Sequence, residues 1–128
     1  EKEGQKDPVL VAEKYWYLSR IQRTVRKYLR NGGNYNEISE EHLPTIVQKI
    51  REEKPMLWHV LTADAQILMR IDIGNKANEI AQADPSFLDK PPEERAEIAR
   101  GALIKEYWEV SKKPSRELKM LEGIFGDE

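Results

Sequence analysis

The sequence predicts an all-α domain, a bundle of about five or six helices that includes a long, basic, amphipathic N-terminal helix. Three observations lead there. Apolar residues recur at helical spacing in at least four segments. Proline and glycine punctuate the chain at intervals that suit helices. No pair of convincing strands is present to form a sheet. At 128 residues the chain has the length of one domain. Residues 1–36 form its basic first helix, which either joins or projects from the bundle, and residues 37–128 form the bundle itself.

The first helix is expected from Pro8 to Arg30. Asp7 is suited to cap it, and proline is favoured at the first helical position because its missing N–H has no partner to lose there. Asn31-Gly32-Gly33 is expected to end it. Val11, Tyr15, Leu18, Ile21, Val25, Tyr28 and Leu29 fall on one side. A second helix fits Pro44 to Glu53, with Ile46, Val47 and Ile50 inward, and Lys54-Pro55 interrupts it. A third fits Pro55 to about Ile71, with Leu57, Trp58, Leu61, Ala65 and Leu68 on one face. Asn75 to Ala83 either continues it past Gly74 or starts anew. "QILMRIDIG" also alternates as a strand would, through Ile67, Met69, Ile71 and Ile73, but it has no strand to pair with. "DPSFLDKPP" reads as a loop.

Pro92 to Lys112 reads as a helix rich in good helix formers, with Ile98, Ala99, Ala102, Leu103, Tyr107 and Val110 as its apolar side. Glu93 and Glu94 in its first turn favour the helix dipole. A short closing helix spans Ser115 to Ile124, using Leu118, Leu121 and Ile124. Leu57, Leu61 and Leu68 are expected to pack against the Pro92–Lys112 helix. Of the adjacent pair Tyr107 and Trp108, one belongs in the core and the other suits a subunit contact.

Composition narrows the function. Hydrophobic residues make up 39% and charged residues 34% of the chain, enough for one modest core under a heavily charged exterior. Cysteine is absent, which excludes disulfides, a thiolate nucleophile and zinc-thiolate sites. No apolar run approaches a membrane span. No signal peptide is recognisable, and the Glu1 start without Met reads as a trimmed or processed chain. His42 and His59 stand far apart, without a metal-binding spacing, so no metal and no cofactor is expected. His59, beside Trp58, reads as a hydrogen-bonded core or boundary residue, and His42 as solvated. There is no nucleophile elbow, phosphate-cradling loop or dinucleotide fingerprint. The expectation is a non-enzymatic protein, intracellular or part of a virion.

The charge is unevenly spread. The net charge of −2 conceals a basic sum over residues 1–36 and an acidic one over the rest. Between Glu13 and Glu37 no acidic residue occurs, while Lys14, Arg20, Arg23, Arg26, Lys27 and Arg30 do. A solvated helix face ordinarily mixes signs, because like charges one turn apart repel. At 100° per residue, Arg20, Arg23, Arg26, Lys27 and Arg30 share the side opposite the apolar stripe. Lys14 lies at its edge and Trp16 projects from it, one turn before Arg20. The bland alternative is a solvated basic face with Trp16 covered by a neighbouring helix.

The sharper expectation is non-specific binding of nucleic acid, duplex DNA through its backbone, by Lys14, Trp16, Arg20, Arg23, Arg26, Lys27 and Arg30. The chain would then assemble as a homo- or hetero-oligomer. A DNA-coating or packaging protein, such as the coat of a filamentous virus, would use these parts. An anionic lipid surface is a further candidate. "IQRTVRKYLR" also resembles the IQ motif, the calmodulin- and light-chain-binding helix, through Ile21, Gln22, Arg26 and Arg30, with Lys27 where glycine is usual. That resemblance covers ten residues and implies the alternative, a helical adaptor whose first helix binds an acidic protein partner.

Overall fold

The computed structural model describes residues 7–31 and 42–125. Five α-helices and one 3-10 turn make up nearly all of it, and there is no strand among the described residues. The helices are α1 (Pro8–Asn31), α2 (Leu43–Glu53), α3 (Pro55–Ala83), α4 (Pro92–Lys112) and α5 (Arg116–Phe125), with the 3-10 turn Pro85–Asp89 between α3 and α4. The all-α expectation holds. The glycine pair expected to stop α1 lies outside the described residues.

α1 starts as its sequence dictates. The Asp7 carboxylate accepts the Val9 N–H at 2.9 Å, while the Asp7 carbonyl accepts the Val11 N–H at 3.0 Å. Asp7→Ala is therefore expected to cost about 1 kcal/mol, read as a shift of the denaturant midpoint without a change of slope.

α3 does not stop near Ile71. It continues through Gly74 as one helix of 29 residues, about 44 Å long at 1.5 Å per residue. The strand-like alternation of "QILMRIDIG" has no counterpart in the fold. Asp84 caps the turn that follows, accepting the Ser86 N–H at 3.2 Å.

α1 is the centre of the molecule, packed against α3, α4 and α5, while α2 bridges α3 and α5. It does not project. Its central apolar residues Tyr15, Leu18, Ile21 and Val25 are buried in one cluster with Leu43, Val47 and Ile50 of α2, Leu61 and Ala65 of α3, and Leu118, Leu121 and Phe125 of α5. Phe125 closes one end of this core, with Trp58 and Tyr17 against it at ring separations of 5.8 and 6.2 Å. The Arg51 guanidinium lies over its ring at 4.8 Å.

Some inward assignments need correction. Leu61 is buried, but its cluster is built mainly by α1, α2 and α5, with Tyr107 and Val110 of α4 at its margin. Leu57 and Leu68 are only partly covered. Tyr28 and Ile98, assigned to apolar faces, are exposed; in α4 it is the neighbouring Ala99 and Leu103 that point inward. His59 is exposed as well: it lies on the side of α3 that no other helix covers.

Candidate nucleic-acid interface

The side of α1 expected to be a continuous basic face is divided by the helices packed around it. Trp16 is 1% exposed. Its ring stacks on Tyr107 of α4, with centroids 6.1 Å apart and planes within 13°. Its Nε1 donates to Asp72 of α3 at 2.8 Å. The covered-Trp alternative is the one realised, and Trp16 presents no surface to a base or sugar.

Arg20 follows Trp16 into the same junction. Its Nε donates to Asp72 at 2.6 Å, and an Nη donates to the Tyr107 hydroxyl at 3.1 Å. The hydroxyl of Ser19 reaches the same oxygen at 3.3 Å. One carboxylate thus accepts from an indole and a guanidinium, with both charges of the ion pair largely withdrawn from water. A charge-assisted set of this kind ties three helices together and costs far more to break than a surface pair. Arg20 is not available to a phosphate.

Two further cations are neutralised within the chain. Arg26 meets the buried carboxylate of Glu117 at 2.6 Å, and Gln22 donates to the same group. Lys14 lies 3.4 Å from Glu122, which also accepts from the Tyr15 hydroxyl. Burial first, and then that hydrogen bond, push the Tyr15 hydroxyl up to about 12. On the same helix Glu13 pairs with Arg100 of α4.

Arg23, Lys27 and Arg30 remain exposed. Arg23 and Lys27 have no carboxylate partner among the described residues. They continue the line of Trp16 and Arg20 along α1, beyond the end of α4. α4 runs in the same direction as α1, since Arg100 meets Glu13 and Tyr107 meets Trp16 and Arg20. It ends at Lys112, and α5 starts beside Gln22 and Arg26 through Glu117. The turn between α4 and α5 therefore brings exposed Lys112, Lys113 and Arg116 to the end of the bundle that carries Arg23, Lys27 and Arg30. Lys112 lies 3.3 Å from Glu109 and over the Trp108 ring at 5.8 Å. Of the adjacent aromatic pair, Tyr107 serves the interior and Trp108 sits half-buried near this corner.

Of the residues that resemble the IQ motif, Ile21, Gln22 and Arg26 are engaged within the fold, while Arg30 is exposed. Ile21 is fully buried, and Gln22 and Arg26 both serve Glu117.

A cleft of about 960 Å³ separates the N-terminal half of α1 from α3. Leu10, Tyr17, Trp58, Met69 and Ile73 supply its apolar wall, and Arg70 lines it too. Lys76 bridges Glu79 at 2.6 Å and Glu106, tying α3 to α4. Its hydrogen bond to Glu106, then that to Glu79, raise its pKa. Among the described residues, no three His, Asp or Glu side chains group as a metal site would need, and no helix is long and apolar enough to cross a membrane.

Sequence reasoning missed Asp72 and Glu117, although a signal for both exists. Asp72 follows Leu61, Ala65 and Leu68 at helical spacing, on the inward side of α3. Glu117 precedes Leu121 by one turn on the inward side of α5. A carboxylate on an inward face needs a donor, and α1 is the richest source of donors in the chain. No family model, curated protein or solved structure matches this chain.

Proposed function

We propose that this is a non-enzymatic helical protein that holds the backbone of nucleic acid without reading its sequence, and that it works as an assembly of copies. The phosphate surface is the end of the bundle formed by Arg23, Lys27 and Arg30 of α1 with Lys112, Lys113 and Arg116. One observation carries the reading. On the helix where Lys14, Arg20 and Arg26 each have a carboxylate within the chain, Arg23 and Lys27 are exposed and have none among the described residues. Placing such charges together raises the energy of the isolated chain, and an anionic polymer relieves it.

Contacts of this type position a protein on phosphates and leave the bases unread. Coating or packaging of DNA, as by the coat of a filamentous virus, is the use that fits. The exposed Arg23 and Lys27 predict a salt dependence, because each neutralised phosphate releases condensed counterion. The logarithm of affinity for duplex should fall against the logarithm of salt by roughly 0.9 per contact. Replacing Arg23 and Lys27 together by Ala should reduce that slope by about two units and leave the helical circular dichroism signal unchanged, since neither side chain supports the core. Random-sequence duplexes should bind alike. An unchanged slope in the double variant, or no binding by the wild type at low salt, overturns the reading. Capture of the same surface by an acidic protein in place of duplex does so too.

A further inference from the structure

At about 960 Å³, the cleft between α1 and α3 has the size of a small-molecule site, for which roughly 300–1,000 Å³ is usual. Its walls are held apart. On one side the links from Trp16 and Arg20 to Asp72 fix α1 against α3. On the other, Phe125 stands between Tyr17 of α1 and Trp58 of α3. Leu10, Met69 and Ile73 face the same space, and Leu10 is 63% exposed. Apolar side chains around a hollow that the fold keeps open gain from an apolar occupant, which releases the water against them.

The charges around the cleft say what kind of occupant. Lys14 is paired with Glu122, and Arg100 with Glu13. Asp7 accepts the Val9 N–H at the start of α1. Arg51 lies over the Phe125 ring and donates to the Ile124 carbonyl at 3.1 Å. Arg70 has no hydrogen bond or ion pair among the described residues, and neither has Gln66, one turn before it on α3. Both are exposed, at the mouth of the cleft. A guanidinium beside a carboxamide offers convergent donors to one carboxylate. A polyphosphate would meet too few cations here, with Glu13 and Glu122 set against it. A helix with its side chains is about 10–12 Å across, so roughly 18 Å of one fills more than about 1,400 Å³, and the cleft cannot seat a partner's helix.

We infer that the cleft binds a long-chain fatty acid, with its carboxylate on Arg70 and Gln66 and its acyl chain along the wall toward Trp58 and Phe125. Trp58 precedes Arg70 by twelve residues on α3, roughly 18 Å along the helix axis, which gives an extended chain its room. The head stays at the solvent edge and the tail replaces water between α1 and α3. This goes beyond the phosphate reading and shares no residue with it.

Calorimetric titration of the 128-residue chain with hexadecanoate, kept below the concentration at which it forms micelles, tests the inference. Binding should saturate at one molecule per chain and change the fluorescence of Trp58. Arg70→Gln should weaken it about three- to tenfold, as loss of a charged hydrogen-bonded partner at a solvent edge does, and Arg70→Glu should weaken it further. Neither should alter the binding of hexadecanol, which has the tail without the charge. Leu10→Glu should weaken both ligands at least about tenfold by placing a carboxylate in the apolar wall, and should keep the helical signal because Leu10 lies outside the core. Dodecanoate should bind less tightly, by up to about fourfold for each methylene lost. Arg23→Ala with Lys27→Ala should leave hexadecanoate binding unchanged, and Arg70→Glu should leave the salt slope on duplex unchanged, so the two readings fail separately. A wild type that does not bind hexadecanoate overturns the inference. So does binding that Arg70→Glu leaves intact, or equally tight binding of hexadecyltrimethylammonium. Uptake of several molecules per chain without saturation would be detergent-like adsorption and overturns it as well.

Discussion

Trp16→Ala is expected to destabilise the protein by about 3–5 kcal/mol, the range for removing a buried large aromatic. The side chain is 1% exposed, stacks on Tyr107 and donates to Asp72. Truncation would leave a void at the junction of α1, α3 and α4, and Asp72 would lose one of its two donors. Trp16→Phe separates these contributions. It keeps part of the ring contact while it removes the indole N–H and some ring volume, so it should cost less than the alanine change, about 1–3 kcal/mol. Denaturant titrations of both variants give the two values. A loss below about 0.5 kcal/mol for Trp16→Ala, as surface positions show, would mean that Trp16 lies outside the core.

Leu61→Ala should have the second large effect, about 2–5 kcal/mol. Leu61 is buried in the cluster that joins α3 to α1, α2 and α5, and four packed elements cannot all close on the space a leucine leaves. Leu57 and Leu68, on the same helix and partly covered, should lose less on the same change. An order of Leu61 above both, measured in one titration series, checks the inward face of α3. Equal losses at all three positions would contradict the burial pattern.

Much of the architecture was legible in the chain. Pro92 to Lys112 was bounded by a proline and by its run of helix formers, and α4 has those limits. Asp7-Pro8 announced the start of α1 through an ordinary capping rule. α3 was harder for a physical reason. It is apolar on two sides, so its residues match a period of two nearly as well as one of 3.6, and "QILMRIDIG" reads both ways. Gly74 suggested a break, yet nothing lies near enough for an added Cβ there to touch. The helix passes through it without a close contact that would have marked the glycine's purpose.

The basic face was legible as charge but not as surface. The acids that neutralise Arg20 and Arg26 stand 52 and 91 residues away in sequence, and helical periodicity carries no information over such distances. What it could have supplied is the inward position of Asp72 and Glu117. Those two carboxylates divide the basic residues of α1 into cations that support the fold and cations that face outward.

The central place of α1 also bears on how the chain is made. Its partners come late: Tyr107 for Trp16, Glu117 for Gln22 and Arg26, Glu122 for Tyr15. Synthesis at about 5–20 residues per second leaves α1 without them for roughly 5–20 s after it has been made. Until Asp72 is made Trp16 and Arg20 lack their shared carboxylate, and until Tyr107 and Glu117 follow Trp16 and Arg26 stay uncovered, so the nascent helix presents an aromatic and basic side that the finished protein hides. Contacts this distant in sequence also slow folding relative to a bundle of locally paired helices. The ribosome-bound chain, rather than the mature one, is the form in which the whole basic stretch of α1 meets the surrounding solution.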